Sequence, residues 1–158
     1  MFRPIQRFKQ QLSEEECRNI LKNEKRGVLS VLGDDGYPYG IPLNHYYNEA
    51  DGKLYFHSGR KGHKIDAILR DNKASYCVYD SGTMSENGWA LRFRSVILFG
   101  RIEIIEDRDV IYDIARRLSR KFTDDEAYIE YEIEHSGPGT LMFALAPEYM
   151  TGKSVKEE

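Results

Sequence analysis

Two spacings of apolar residues alternate along this chain, one of two residues and one of three to four, and they divide it into strands and helices. Ser13 followed by Glu16 is a capping-box signature, and Glu14-Glu15-Glu16 suits the positive end of a helix dipole. A helix is predicted from there to about Lys22, with Cys17, Ile20 and Leu21 on one side. Gly27 changes the period, and Val28, Leu29, Val31 and Leu32 make a short apolar strand. Gly33-Asp34-Asp35-Gly36 is a turn, and a second strand runs from about Tyr39 to Tyr47. Pro42 within it cannot donate to a ladder, so its position lies at an edge, at a bulge or against something other than a strand. Asn48 to Gly52 is a hairpin turn into a strand over 53–58, and the pattern to this point is an antiparallel meander.

A helix opens near Gly62, with Ile65, Ile68 and Leu69 at helical spacing. Ala74 to Tyr79 alternates as a strand, Asp80 to Asn87 is a polar loop, and Leu91 to Ile105 is a longer strand with a bend or bulge at Gly100. Asp107 opens an amphipathic helix carried by Val110, Ile111, Ile114, Ala115 and Leu118. Thr123 and Glu126 read as a second capping box, heading a helix from Asp124 to about Glu134 with a solvated glutamate-rich face. Gly137-Pro138-Gly139 closes it, Thr140 to Ala146 is a final strand, and Tyr149 to Lys153 extends it beyond Pro147. Residues 1–12 read as an irregular arm and 154–158 as a frayed tail, within a single domain over 1–158. Hairpin-linked strands with peripheral helices predict a mainly β, α+β protein built on a small antiparallel barrel.

Composition narrows the function. The chain has 158 residues, 41% hydrophobic and 12% aromatic, enough for a substantial core. Its net charge of -3 argues against broad nucleic-acid binding. Cys17 and Cys77 lack CxxC or Cys/His metal spacing, so the expectation is two reduced thiols and no metal site. With no hydrophobic signal region at Met1 to Pro4 and no run of membrane-spanning length, a cytoplasmic protein without membrane attachment is expected.

The densest chemistry lies in Leu54-Tyr55-Phe56-His57-Ser58-Gly59-Arg60-Lys61-Gly62-His63-Lys64-Ile65-Asp66. A strand that ends in a glycine-containing loop and opens a helix presents free backbone N–H groups at the positive end of a helix dipole. Arg60, Lys61 and Lys64, with His57 and His63, add cations and donors around that point, which suits a phosphate. Lys64 in the first turn opposes the dipole, and a bound anion would remove the conflict.

The ordered set of Gly36-Tyr37-Pro38-Tyr39-Gly40-Ile41-Pro42-Leu43-Asn44, Leu54 to Ser58, Gly62 to Asp66, Ser95 to Arg101 and Thr151-Gly152-Lys153 resembles the pyridoxamine-phosphate-oxidase-like flavin-binding split-barrel superfamily, and within it the nitroimidazole-resistance proteins. The resemblance implies a six-stranded antiparallel split β-barrel, homodimeric, with flavin mononucleotide (FMN) in two equivalent interface clefts. It places the phosphate by the loop from His57 to Lys64, with Ser58, Lys61, Gly62 and His63 among its contacts, and the ring along Pro42, Leu43, Asn44, His45 and Tyr46. Ser95 would reach the flavin from the same or the partner chain, and Thr151 to Lys153 would return toward the cleft.

His57 is matched to the histidine associated with activity in the resistance proteins, with His45 as its competitor. Asn44 offers both donor and acceptor to the ring edge, and Trp89 and Arg92 are candidates for the substrate side. The implied activity is flavin-dependent reduction of nitroaromatic (5-nitroimidazole-type) or quinone-like small molecules. With no GxGxxG element, NAD(P)H would bind only transiently as donor. The alternatives are a non-catalytic flavin or haem carrier, a structural dimer with an empty cleft, and a pyridoxamine-phosphate-oxidase-type enzyme. The last needs a second basic cluster, for which Arg92 with Arg94, or Arg116 with Arg117, are the only pairs at hand.

Overall fold

The computed structural model describes residues 1–156, and its strands join into one antiparallel sheet. In chain order they are β1 (Arg26–Leu32), β2 (Pro38–Asn44), β3 (Tyr46–Asn48), β4 (Lys53–Gly59), β5 (Lys73–Tyr79), β6 (Thr83–Met84), β7 (Leu91–Ile105) and β8 (Thr140–Lys156). The helices are α1 (Glu14–Asn23), α2 (His63–Arg70), α3 (Arg108–Arg120) and α4 (Glu126–Ser136). The spatial order is β2-β1-β5-β7-β8-β4-β3, with β6 pairing β7. The two ends of that order, β2 and β3, are consecutive in the chain and separated by His45 alone. The sheet therefore curls until its ends meet at one residue, which makes a split barrel. The six expected strands are all present: β2 and β3 are the expected strand 39–47 broken once, and β6 is a two-residue addition in the expected loop.

His45 causes the break. Its side chain is fully buried, with Nδ1 2.8 Å from the Tyr76 hydroxyl and Nε2 2.7 Å from the Leu21 carbonyl. The Tyr76 hydroxyl also donates to the Leu43 carbonyl at 2.8 Å. From outside, the Lys121 ammonium donates to the carbonyls of Glu24 and His45 at 2.8 and 2.7 Å. One residue thus ties α1, β5 and the end of α3 to the seam of the barrel.

Alternation along the strands sorts side chains inward and outward. Leu29, Leu54, Phe56, Tyr76, Leu98, Phe143 and Leu145 fill the interior, and α1 closes it with Cys17, Ile20 and Leu21. Pro42 sits on β2, a strand paired on one side only, as its missing N–H requires. Outside the barrel, Ile114 of α3 packs on Tyr55, Met142 and Ala144. The α3–α4 hairpin is clasped by a forked Arg116–Glu130 pair and by Arg120–Glu126.

Local expectations hold at several points. The Ser13/Glu16 capping box is formed, Asp107 caps α3, and the β7–β8 register slips beside Gly100, where Pro147 and Tyr149 face Gly100 and Phe99 and Glu148 is passed over. The second capping box is not formed. Asp125 caps α4 through the Tyr128 N–H, because Glu126 is drawn to Arg120 and Thr123 accepts only from the Asp125 N–H. Leu69, expected on the apolar side of α2, is exposed, while Ile65, Ala67 and Ile68 are buried.

The N-terminal arm is docked: Phe2 stacks on Phe99 and Tyr149, and Gln11 bridges to Lys153. Of the expected frayed tail, residues 154–156 lie in β8, and 157–158 fall outside the described residues. Among the described residues no helix is long and apolar enough to cross a membrane.

Candidate functional site

The loop from β4 to α2 is built to leave amides open. Gly62 stands before α2 with φ 125°, a conformation disfavoured for residues with a Cβ. It has no side chain to cap the helix, and among the described residues none from elsewhere does so. Lys61 is exposed and Lys64 half-buried, and neither has a carboxylate partner among the described residues. His63 is held in place: its ring stacks on Tyr39 at 4.0 Å, and Nε2 lies 3.7 Å from Asp34. Arg60 turns aside to donate to the Pro138 carbonyl at 3.2 Å. Ser58 is buried and donates to the Gly59 carbonyl, so its hydroxyl proton already has an acceptor.

The seam brings Asn44 and His57 together. Tyr46 pairs Tyr55, and continuing that antiparallel register by two positions sets Asn44 opposite His57, on the outer face of the barrel. Both line one cavity of about 280 Å³. Asn44 Oδ1 accepts from Arg26 Nε at 2.8 Å, which leaves the amide NH2 as the group available to a ligand. His57 is exposed at the surface, yet burial of its ring by surrounding protein pushes its imidazole pKa down, and the Lys64 ammonium adds to the shift. His57 is therefore neutral near pH 7, with one ring nitrogen to donate and one to accept.

His45 does not share this site. Burial, followed by the Lys121 charge, lowers its pKa to about 4, and both ring nitrogens are engaged inside the fold. The expectation that it faces a ligand is corrected: at the break, His45 turns into the barrel while Asn44 and Tyr46 stay outside. Tyr46 packs on the cluster beneath α3, Leu43 faces the core, and Pro42 is exposed.

Ser95 lies elsewhere. It pairs Lys153 and lines a separate shallow pocket with Thr151, Lys153 and Arg7. His57 pairs Met142, which pairs Ile105, ten positions along β7 from Ser95 and about 33 Å away in extended strand. Within one protomer, Ser95 and the Thr151 to Lys153 segment therefore do not meet His57. Trp89 and Arg92 share a third pocket, by β6, with no residue in common with the His57 cavity.

The roof of the cavity comes from residues outside the expected site. Ile111, Ala115 and Leu118 of α3 and Ile129, Glu132 and Ile133 of α4 cover the outer barrel face. The signal was present, since Ile129, Glu132, Ile133 and Ser136 share one face of α4 at spacings of three and four.

The family model described as pyridoxamine 5'-phosphate oxidase matches residues 13–154. No curated protein matches the chain. Among solved structures, a candidate 5-nitroimidazole antibiotic resistance protein from Bacteroides thetaiotaomicron aligns at TM-score 0.77 and 21% identity, over 92% of this chain and 87% of that one. A FAD-binding protein from Mesorhizobium loti aligns at 0.64 and 23%, over 92% and 96%. A FAD and haem binding protein from Mycobacterium smegmatis aligns at 0.70 and 21%, over 91% and 72%. At these identities the likeness is one of fold.

Proposed function

The chain belongs to the pyridoxamine 5'-phosphate oxidase family, and from that premise we propose that it binds FMN and reduces nitroaromatic or quinone-like small molecules. The observation that carries this reading is the β4–α2 loop, where uncapped amides meet two lysines that have no carboxylate partner among the described residues. A single phosphate fits there, and the mononucleotide suits a site with no dinucleotide motif. The solved neighbours named as FAD-binding make the adenine-containing flavin the competing ligand. Flavin supplies hydride and electron transfer; the protein binds and orients it. Asn44 would offer its free NH2 to the bound flavin, and neutral His57 would give or accept a hydrogen bond in the same cavity. NAD(P)H serves as transient donor.

A homodimer completes the site in this reading. Ser95 of β7 and its β8 partner Lys153 lie at the far end of the β7–β8 ladder from His57, and a twofold-related copy would bring them to it. The outer sheet face offers the apolar surface: Leu32, Tyr79, Ile97 and Phe99 are all exposed. Pyridoxamine-phosphate oxidation is disfavoured because the surplus arginines are taken: Arg94 pairs Asp80, Arg116 pairs Glu130 and Arg117 pairs Asp113. Two free thiols, Cys17 and Cys77, accord with a cytoplasmic location.

The test is the visible spectrum of the purified protein, with the released chromophore identified by chromatography. FMN near one per subunit, with turnover of a nitroaromatic or quinone, is the expected result. Flavin adenine dinucleotide or haem would replace the cofactor assignment. No chromophore and no uptake of added flavin would overturn the reading.

A further inference from the structure

The cavity under the α3–α4 hairpin has an uneven chemistry. Its walls are apolar and aromatic, with Phe122, Tyr128 and Met142 among them. No lysine or arginine lines it among the described residues, and Glu132 is its one carboxylate. Three other carboxylates of the hairpin are matched to cations, Asp113 to Arg117, Glu126 to Arg120 and Glu130 to Arg116. Glu132 is half-buried, and its hydrogen-bond partner is the Ser136 hydroxyl at 3.3 Å. A carboxylate with only a weak neutral partner, in a cavity that aromatic rings also line, attracts a cation through its charge, and the ring faces can add to it.

We propose that this cavity is the second-substrate pocket of the flavin site, and that it takes a flat aromatic compound of one or two rings carrying a protonated nitrogen. The inference rests on the flavin reading only in calling the occupant a substrate. His57 and Asn44 form the wall shared with the cofactor, and Glu132 holds the cationic end. The volume of about 280 Å³ lies just under the range of drug-sized pockets, which limits the ligand to that size. Phosphorylated and carboxylated aromatics are rejected, because they would place an anion beside Glu132 with no cation to balance it.

Calorimetric titration of the purified holoprotein tests this with tryptamine, indole and indole-3-acetate, which share one ring system and differ in charge. Tryptamine is expected to bind about tenfold tighter than indole, the worth of one charge-assisted hydrogen bond, and indole-3-acetate weaker than both. Glu132→Gln keeps the shape and should cost tryptamine about that tenfold while leaving indole unchanged. Since the protein is acidic overall, this variant separates a local charge from the net charge. Ala115→Leu, which fills the cavity, should weaken all three; its circular dichroism confirms folding, and Glu132→Gln carries the test if it misfolds. Equal affinities for the three probes, no binding of any, or a tryptamine preference that survives Glu132→Gln would overturn the proposal. Cofactor content is read separately on the same samples. A preference without flavin would sink the flavin reading and keep the pocket, whereas flavin without a preference would sink the pocket alone.

Discussion

Acidification from pH 7 to pH 5 is expected to destabilise this protein through His45, before most carboxylates titrate. In the fold the imidazole has a pKa of about 4, lowered from 6.5 first by burial and then by Lys121. Above pH 6.5 the ring is neutral in both states and contributes no pH dependence. Between pH 6.5 and 4 the unfolded chain takes up a proton that the folded chain refuses, so stability falls as pH falls. Below pH 4 the loss is complete. One pKa unit is worth about 1.36 kcal/mol, so the shift amounts to about 3 kcal/mol in total and about 2 kcal/mol between pH 7 and 5.

The bonding sets this as an upper figure. Neutral His45 and Tyr76 share two protons among three contacts, to Leu21 O, to each other and to Leu43 O. Protonation would supply the third and offset part of the cost of burying the charge. For a chain of this size, 2 kcal/mol lowers the melting temperature by about 4–8 °C. The assay is thermal unfolding of the wild type and of His45→Gln at pH 7 and at pH 5. The variant melts lower at pH 7, having lost fitted hydrogen bonds, but its melting temperature should fall less on acidification. His57 shifts in the same direction, so His57→Gln is the matched control. A His45→Gln protein whose melting temperature falls as steeply as the wild type would refute the argument that His45 is buried neutral.

Three further outcomes are expected. Lys61→Ala with Lys64→Ala should reduce flavin occupancy of the purified protein while leaving the melting temperature of flavin-free protein nearly unchanged, since neither lysine has a carboxylate partner among the described residues and surface charges add little to stability; full occupancy would remove the phosphate assignment. Gly100→Ala should lower stability by about 1–3 kcal/mol, because its methyl would meet the Ala146 carbonyl across the β7–β8 irregularity and backbone cannot swing aside. An unchanged urea midpoint would show that the bulge relaxes. Gel filtration with light scattering should report a dimer, and a monomer that holds flavin would contradict a site completed by a second copy.

Features whose causes lie within a few residues were legible along the chain. The strand and helix periods, the Ser13/Glu16 cap, the Asp107 cap and the irregularity at Gly100 are such cases, because hydrogen bonds and sterics between near neighbours set them. The β4–α2 loop belongs with them: glycine, lysines and helix start are contiguous, so its uncapped helix start and its cations could be read directly. The Asp125 cap was hidden because Thr123 satisfies the same pattern, and the choice fell to Arg120, which draws Glu126 away.

Tertiary structure alone decided the rest of the site. His45 and His57 sit in similar apolar strands, and nothing local says which one faces inward; closure of the sheet at a single residue buries the first and leaves the second outside. The same closure sets Asn44 opposite His57 and holds Ser95 at the far end of β7. The α3–α4 hairpin gives the cavity its roof and its one carboxylate through contacts with strands remote in sequence. Periodicity tells which residues share a face, but which face turns inward, and what covers the other, is fixed only when strands far apart in the chain pair and the barrel shuts.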